Sequence, residues 1–489
     1  MRTPLASRLL LAALLAGAGA CAKKEQVVIF ATSRTQGRAW AAEGGGLSRK
    51  TGGFAVFKKL YDAEARPKAA VDLGNWFSAV PEGWLTRGRS TLACLDGVPY
   101  AAAAAGMEDL SLSPQEMQKL AESSRTRILA SNLYLKSNKK PEFLASVAAA
   151  KTGPVKIGFF SVLIASPSKP NRPKYLAAYK LEKETYEAAR AVKSLRDDGA
   201  QVVVMLLGVN PKEAAGQDFF RDLLSKVPRV DLVITDEPSV KKPFRAGRAW
   251  VAPAGSGPDE AARLALTVDP AAGRMTGLDW DRIKLYADKY GEDKAELDII
   301  AGFRKSAADH FARRVGFLQD DLPLADKAGT PAADFASDCL RRWAKSNAAI
   351  VGLSELAAPL SSGPVTVGSL YASFPADSSV VFIKIRGDDL ERALGGLQPS
   401  EISVSGLKLT LKDGAVDRVA TEAGPLTAAK VYRVAVPDSL AGGPENAILS
   451  SAMEFANSRR SVRDVMGWCF SRQKAWARPE GGRIAKGDK

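Results

Sequence analysis

From Gln26 onward the chain alternates short apolar runs with longer stretches in which apolar residues recur every third or fourth position. Val27 to Ala31, Ala69 to Leu73, Val155 to Phe160, Val202 to Leu207 and Val230 to Ile234 read as strands covered on both faces. The stretches between them, Phe54 to Glu64, Ser113 to Ser124, Tyr175 to Asp197 and Asp218 to Lys226, read as amphipathic helices. Strand and helix in alternation predict an α/β sandwich with mostly parallel strands, which Leu264 to Asp269 closes as a final strand.

A polar, helix-prone stretch from Lys284 to Arg314 then reads as a bridge. Beyond it come a helix at Asp334 to Lys345, strands at Ala349 to Leu353 and Ser379 to Ile385, a helix at Asp388 to Leu394, and strand-rich sequence through Val434. The expected division is a leader at 1–20, a first domain at 21–270, a helical bridge at 271–325, a second α/β domain at 326–475 and a basic tail at 476–489. No internal repeat relates the halves. A length of 489 residues suits two or three domains, and 46% hydrophobic with 25% charged residues is a globular composition.

The leader carries Arg2 and Arg8, the apolar run Leu9 to Leu15 and the small residues Ala16 to Ala20 before Cys21. Those small residues resemble a bacterial lipobox, with Ala18 where leucine is usual, and Cys21 is then the acylated N-terminus. A soluble cleaved product and an uncleaved anchor are the alternatives, although the run falls short of the ~20 residues a spanning helix needs. Ala22 and Lys23 follow Cys21 with no aspartate, which favours an outer-membrane destination. The expected setting is therefore extracytoplasmic, with membrane attachment through the lipid anchor.

The formal charge of +15 becomes +13 once Arg2 and Arg8 leave with the leader. Such an excess favours anionic partners. The densest part is Arg459 to Lys489, which reads as a solvated tail or as a contact for lipid headgroups. No motif for nucleic acid is present. Of the remaining cysteines, Cys94, Cys339 and Cys469, no two are spaced as a metal motif; an oxidising compartment allows one disulfide, for which Cys339 with Cys469 is the choice because both lie in the C-terminal half, and three free, buried thiols are the alternative.

The order of pieces resembles the 5′-nucleotidase family. In the first domain the landmarks are Gly52-Gly53-Phe54-Ala55, Val71-Asp72-Leu73-Gly74, Ser113 to Asn132, Lys156-Ile157-Gly158, Gly199 to Leu207, and Ala254-Gly255-Ser256. In the second, Gly363-Pro364-Val365-Thr366-Val367-Gly368-Ser369-Leu370-Tyr371 with Phe374-Pro375 is the most specific match, supported by Tyr432-Arg433-Val434-Ala435 and Ser461-Val462-Arg463-Asp464. The resemblance implies a four-layer metallophosphatase-like αββα sandwich followed by a smaller α/β 5′-nucleotidase C-terminal-type domain.

It also implies a two-metal centre, and this sequence departs from the family at every ligand position. Thr-Asn-Asp-x-His-Gly reads Thr32-Ser33-Arg34-Thr35-Gln36-Gly37, and the bridging aspartate is Asn75. Gly-Asn-His-Glu reads Gly106-Met107-Glu108-Asp109, the next histidine falls on Gly208, and Gly-His-x-His falls on Asp236-Glu237-Pro238-Ser239. The chain holds one histidine, His310, in the bridge. Arg34 would set a fixed positive charge where a divalent ion should sit. In the second domain the family's arginine-bearing loop is shortened to Leu353 to Gly363, with no arginine between Arg342 and Arg386. The base-stacking aromatic positions are Ser439 and Ala447.

The resemblance with these losses predicts a catalytically inactive, lipid-anchored scaffold with no cofactor, binding a protein or small molecule. The rival is a metal-dependent phosphoester hydrolase in which Glu108, Asp109, Asp236 and Glu237 rebuild an oxygen-ligand site for Mg²⁺ or Ca²⁺. Convergence of those carboxylates, or their separation by Arg34, distinguishes the two. Ser33, Ser239 and Cys94 are replacement nucleophiles without a histidine to activate them. Trp76, Phe77 and Trp84 either line the mouth of the cleft or cover its core.

Overall fold

A computed structural model describes residues 24–486 except 45–46, 78–79, 165–177, 209–215, 327–328, 377, 442–447 and 449–450. Cys21 and Ala447 lie outside the described residues.

The first domain stacks two six-stranded sheets. In one, Glu25–Thr32 pairs in parallel with Lys68–Asp72, which continues through Tyr100–Ala104 to Ile128–Leu129. In the other, Val155–Ser161, Val202–Leu207, Leu232–Thr235 and Ala249–Pro253 run parallel in that order. Antiparallel strands close both edges of the second sheet and one edge of the first, whose other edge is the parallel strand Ile128–Leu129.

Side-chain alternation explains why these strands are apolar throughout. Val27, Ile29 and Ala31 meet Val204, Leu206 and Ile234 in the layer between the sheets. Val28 and Phe30 point outward under the helix Phe54–Ala63, and Val203, Met205 and Leu207 point outward under the helices Glu184–Asp197 and Gly216–Lys226. Both faces of each strand are therefore covered, and the result is an αββα sandwich.

The second domain has a five-stranded sheet, ordered Ile402–Ser405, Ala348–Gly352, Val431–Pro437, Ser379–Arg386 and Glu454–Ser461. The helices Pro331–Ala344 and Val462–Arg472 cover one face, where a disulfide joins Cys339 to Cys469. The helix Gly387–Gly395 covers the other.

Several expectations need correction. The strand Leu264 to Asp269 is not the last, because Glu260–Asp269 pairs with Arg274–Lys284 along the sheet edge. That edge strand is largely solvent-facing, so it lacks the apolar run of a covered strand. Residues 271–284 thus belong to the first domain, and the bridge is the helix Lys294–Ala312. The second domain begins earlier than residue 326, since Arg314–Leu318 pairs with Gly363–Thr366. Of the stretch Tyr175 to Asp197, only Glu184–Asp197 is helix within the described residues, preceded by the strand Tyr179–Leu181.

Within the described residues, the basic stretch through Lys486 is folded rather than a solvated tail. Trp476 packs edge-on against Phe335 and is 8% exposed. Arg478 pairs with Asp326, and Arg483 forks onto both oxygens of Asp338 at 2.9 and 2.8 Å. Ile484–Lys486 adds a strand beside Leu409–Leu411. Packing of Trp476 and the Arg483–Asp338 pair outweigh the polarity of the segment.

Candidate functional site at the strand ends

The C-terminal ends of the parallel strands gather the loops at 33–38, 73–77, 105–109 and 236–239. Backbone bonds lace the first two together: Leu73 N–H donates to Thr32 O at 2.9 Å, Arg34 N–H to Gly74 O at 3.0 Å, and Gln36 N–H to Asn75 O at 2.9 Å. Arg34, Gln36 and Asn75 all have positive φ, at 52°, 51° and 65°. Two of the three are side chains that seldom adopt this conformation, so local strain is built into the loops. Gly74 and Gly106 are needed for close approach, because a Cβ on Gly74 would stand 2.3 Å from the Gly106 nitrogen.

Two buried carboxyls hold this arrangement. Asp72 accepts from Thr32 Oγ1 at 2.6 Å, from Gly74 N–H at 2.8 Å and from the Trp76 indole at 2.8 Å. Asp109 accepts from the backbone of Asn75 at 2.7 Å, Gly106 at 2.8 Å and Trp76 at 2.9 Å. Burial pushes Asp72 up to about 6 and Asp109 up to about 7, against these donors, which favour the ionised forms. Asp72 was visible in sequence only as part of a landmark, and its neighbour Tyr100, 3.0 Å from Thr32 Oγ1, carried no signal at all.

The centre is occupied by a guanidinium. Arg34 Nε stands 2.7 Å from Asp236 Oδ2, and Arg34 Nη1 is 3.7 Å from Glu108 Oε1. The Asp236 side chain is fully buried and that of Arg34 is 9% exposed. Glu237 turns away, its Oε1 accepting from Ser239 N–H at 3.0 Å. The Asn75 side chain accepts from Glu108 N–H at 3.0 Å. Gly208 lies beside Asp236, Met107 packs at the edge of the hydrophobic core, and Ser239 is exposed.

The four carboxylates proposed for a rebuilt cation site do not converge. Asp109 is engaged by three backbone N–H donors, Asp236 and Glu108 each face the Arg34 guanidinium, at Nε and Nη1, and Glu237 serves a turn. These residues do not fit a divalent cation, which needs several oxygens about 2.0–2.6 Å from one point and no cation among them. Among the described residues, no group of three or more His, Cys, Asp or Glu side chains is arranged to hold a metal ion.

The other candidates have structural duties. Ser33 Oγ donates to Gly255 O at 2.6 Å. The Cys94 thiol bonds to Glu296 of the bridge helix, and burial pushes that thiol up and Glu296 up to about 7. His310 is half-buried beside Phe311, and its pKa is lowered by burial and by Arg313. Trp76 and Phe77 are 0% and 1% exposed and Trp84 packs on Phe77, so these aromatics are core. In the second domain Ser439 donates to the buried Glu355, at the end of the strand Ala348–Gly352.

The 5′-nucleotidase, C-terminal domain family matches residues 314–451. No curated protein matches the chain. Among solved structures, a 5′-nucleotidase precursor from Thermus thermophilus is 18% identical, with a TM-score of 0.62 over 95% of this chain and 100% of that one. A putative 5′-nucleotidase from Staphylococcus aureus is 12% identical, with a TM-score of 0.71 over the same shares. NAD nucleotidase of Haemophilus influenzae is 13% identical, with a TM-score of 0.61 and again 95% and 100% coverage. The second domain therefore belongs to the 5′-nucleotidase C-terminal domain family, and the whole chain has the two-domain fold of the 5′-nucleotidases.

Proposed function

We propose that this protein is a non-hydrolytic, lipid-anchored extracytoplasmic member of the 5′-nucleotidase fold, retained as a scaffold that binds a protein or small molecule. The observation that carries the reading is Arg34, whose guanidinium faces both Asp236 and Glu108 at the strand ends. A permanent cation there repels a divalent ion and uses the carboxylates that would ligate it. The Cys339–Cys469 disulfide supports an oxidising compartment, in keeping with export and a Cys21 anchor.

The test is metal content after the mature protein is incubated with Mn²⁺, Zn²⁺, Mg²⁺ and Ca²⁺ and freed of excess by gel filtration, alongside assays on nucleotide monophosphates. Near-zero occupancy and no phosphate release are expected. About two ions per chain with turnover would overturn the reading in favour of a metal-dependent phosphoester hydrolase, and make Glu108, Asp109, Asp236 and Glu237 the residues to change.

A further inference from the structure

The opposite pole of the first domain carries a separate surface. Three short turns meet at the N-terminal ends of the parallel strands: one before Leu232–Thr235, the hairpin turn before Ala249–Pro253, and the hairpin turn before Arg274–Lys284. They contribute Arg229, Arg245, Arg248 and Arg274 to an open cleft of ≈ 1080 Å³, to which two covering helices add Arg196 and Arg221. Among the described residues lining it, Asp231 is the one acid. Strands of about six residues, at roughly 3.3 Å each, place this cleft some 20 Å from the Arg34 site.

The charge is not balanced from within. Arg196 is committed to Asp231 at 2.5 Å, and Arg221 pairs with Asp218 at 2.8 Å. Arg245 lies over the Trp250 ring at 4.2 Å and donates to Arg248 O at 2.6 Å. Among the described residues Arg229, Arg248 and Arg274 make no ion pair, and all three are exposed. They are also held in place. Arg229 itself has φ +69°, Gly247 and Gly273 set the two hairpin turns at φ +61° and +58°, and the floor beneath is the buried Val227, Val230, Ala246, Ala249 and Met275. The turns are seated while the guanidiniums face solvent, so this cluster of like charge attracts an external polyanion.

The strand Glu25–Thr32 begins at the same pole. Glu25 pairs with Val268, and Val268 pairs with Met275, so Glu25 is two strand spacings, about 10 Å, from the cleft wall. Cys21 precedes Glu25 by four residues, a reach of at most ~14 Å.

We propose that the arginine cleft docks on the anionic phospholipid headgroups of the membrane that holds the Cys21 acyl chains. The inference rests on the lipoprotein reading for its orientation, while the charge array stands without it. Anchor and basic surface then act as two signals on one face, and the Arg34 site points away from the bilayer.

The test uses the mature chain from Ala22, without acyl groups, and vesicles of phosphatidylcholine with or without 30 mol % phosphatidylglycerol, at 0.15 M salt. Partition onto the anionic vesicles should exceed that onto the neutral ones by at least tenfold and fall steeply at 0.5 M salt. The triple variant Arg229→Glu/Arg248→Glu/Arg274→Glu should lose it, at about fivefold or more per arginine. A charge-matched control on the second domain, Lys412→Glu/Arg418→Glu/Lys430→Glu, should retain it, with both variants checked for an unchanged melting temperature. Equal loss in the two variants would reduce the effect to net charge and overturn the proposal, as would equal partition onto neutral vesicles. Displacement by 10 mM inorganic phosphate would reassign the cleft to a small free anion. Mass spectrometry of the mature N-terminus separately decides whether Cys21 is acylated, so a failed anchor and a failed cleft are distinguishable.

Discussion

Arg34 Nε stands 2.7 Å from Asp236 Oδ2, with the carboxylate side chain fully buried and the arginine held in a left-handed backbone conformation. The first prediction follows from that pair. Arg34→Ala removes the cation facing a buried charge and should cost about 3–5 kcal/mol, read as a shift in the denaturation midpoint. Arg34→Ala/Asp236→Ala should recover most of it, because the uncompensated charge goes too. Additive losses in the double variant would show that the pair is not coupled.

Asp109 gives a sharper test of geometry. Its two oxygens accept three backbone N–H groups, so Asp109→Asn must turn an amide donor toward at least one of them. A loss of roughly 2–4 kcal/mol is expected from a change of almost no volume. A neutral effect would mean that the loops at 73–77 and 105–109 can part without cost.

The buried acids also set a pH dependence. Asp72, Asp109 and Glu296 are raised to about 6, about 7 and about 7 from ordinary values near 4. Between about pH 4 and 7 the folded state therefore binds more protons than the unfolded chain, and stability falls as pH rises through that window. His310, whose pKa is lowered, opposes the trend with a single group. Glu64 and Glu187, both lowered, lose their contribution only toward lower pH. The melting temperature should thus be higher at pH 5 than at pH 8. The reverse order would mean that the N–H donors keep Asp72 and Asp109 ionised.

In the second domain, Cys339 and Cys469 close a loop of 130 residues. Chain-entropy arguments put the stabilisation from a loop of that length at about 4–5 kcal/mol. Cys339→Ala/Cys469→Ala should lower the second domain's unfolding midpoint and leave the first domain's transition in place. A single shared shift would instead show that the bridge helix couples the two.

Strands covered on both faces were legible because alternation gave them unbroken apolar runs, as in Val202–Leu207, where Val204 faces the other sheet and Val203 the helices. The edge strand Arg274–Lys284 was not, since solvent on one side removes the pattern, and the folded end of the chain was masked by its arginines. At the site, Arg34 and Asp236 were each visible as departures from a family pattern. Their pairing was not, because 202 positions separate them and only the stacking of two sheets brings them together. Trp76 was ambiguous for a related reason: its indole is tied to Asp72, a partner that sequence offers no reason to choose.

The Arg34 pairing also limits what single changes can do at these strand ends. Arg34→Asp by itself would set a third carboxylate against Asp236 and Glu108 with no cation among them, so it is expected to be less stable than Arg34→Ala. An oxygen-lined cation site therefore cannot be opened here one substitution at a time without passing through a weakened protein.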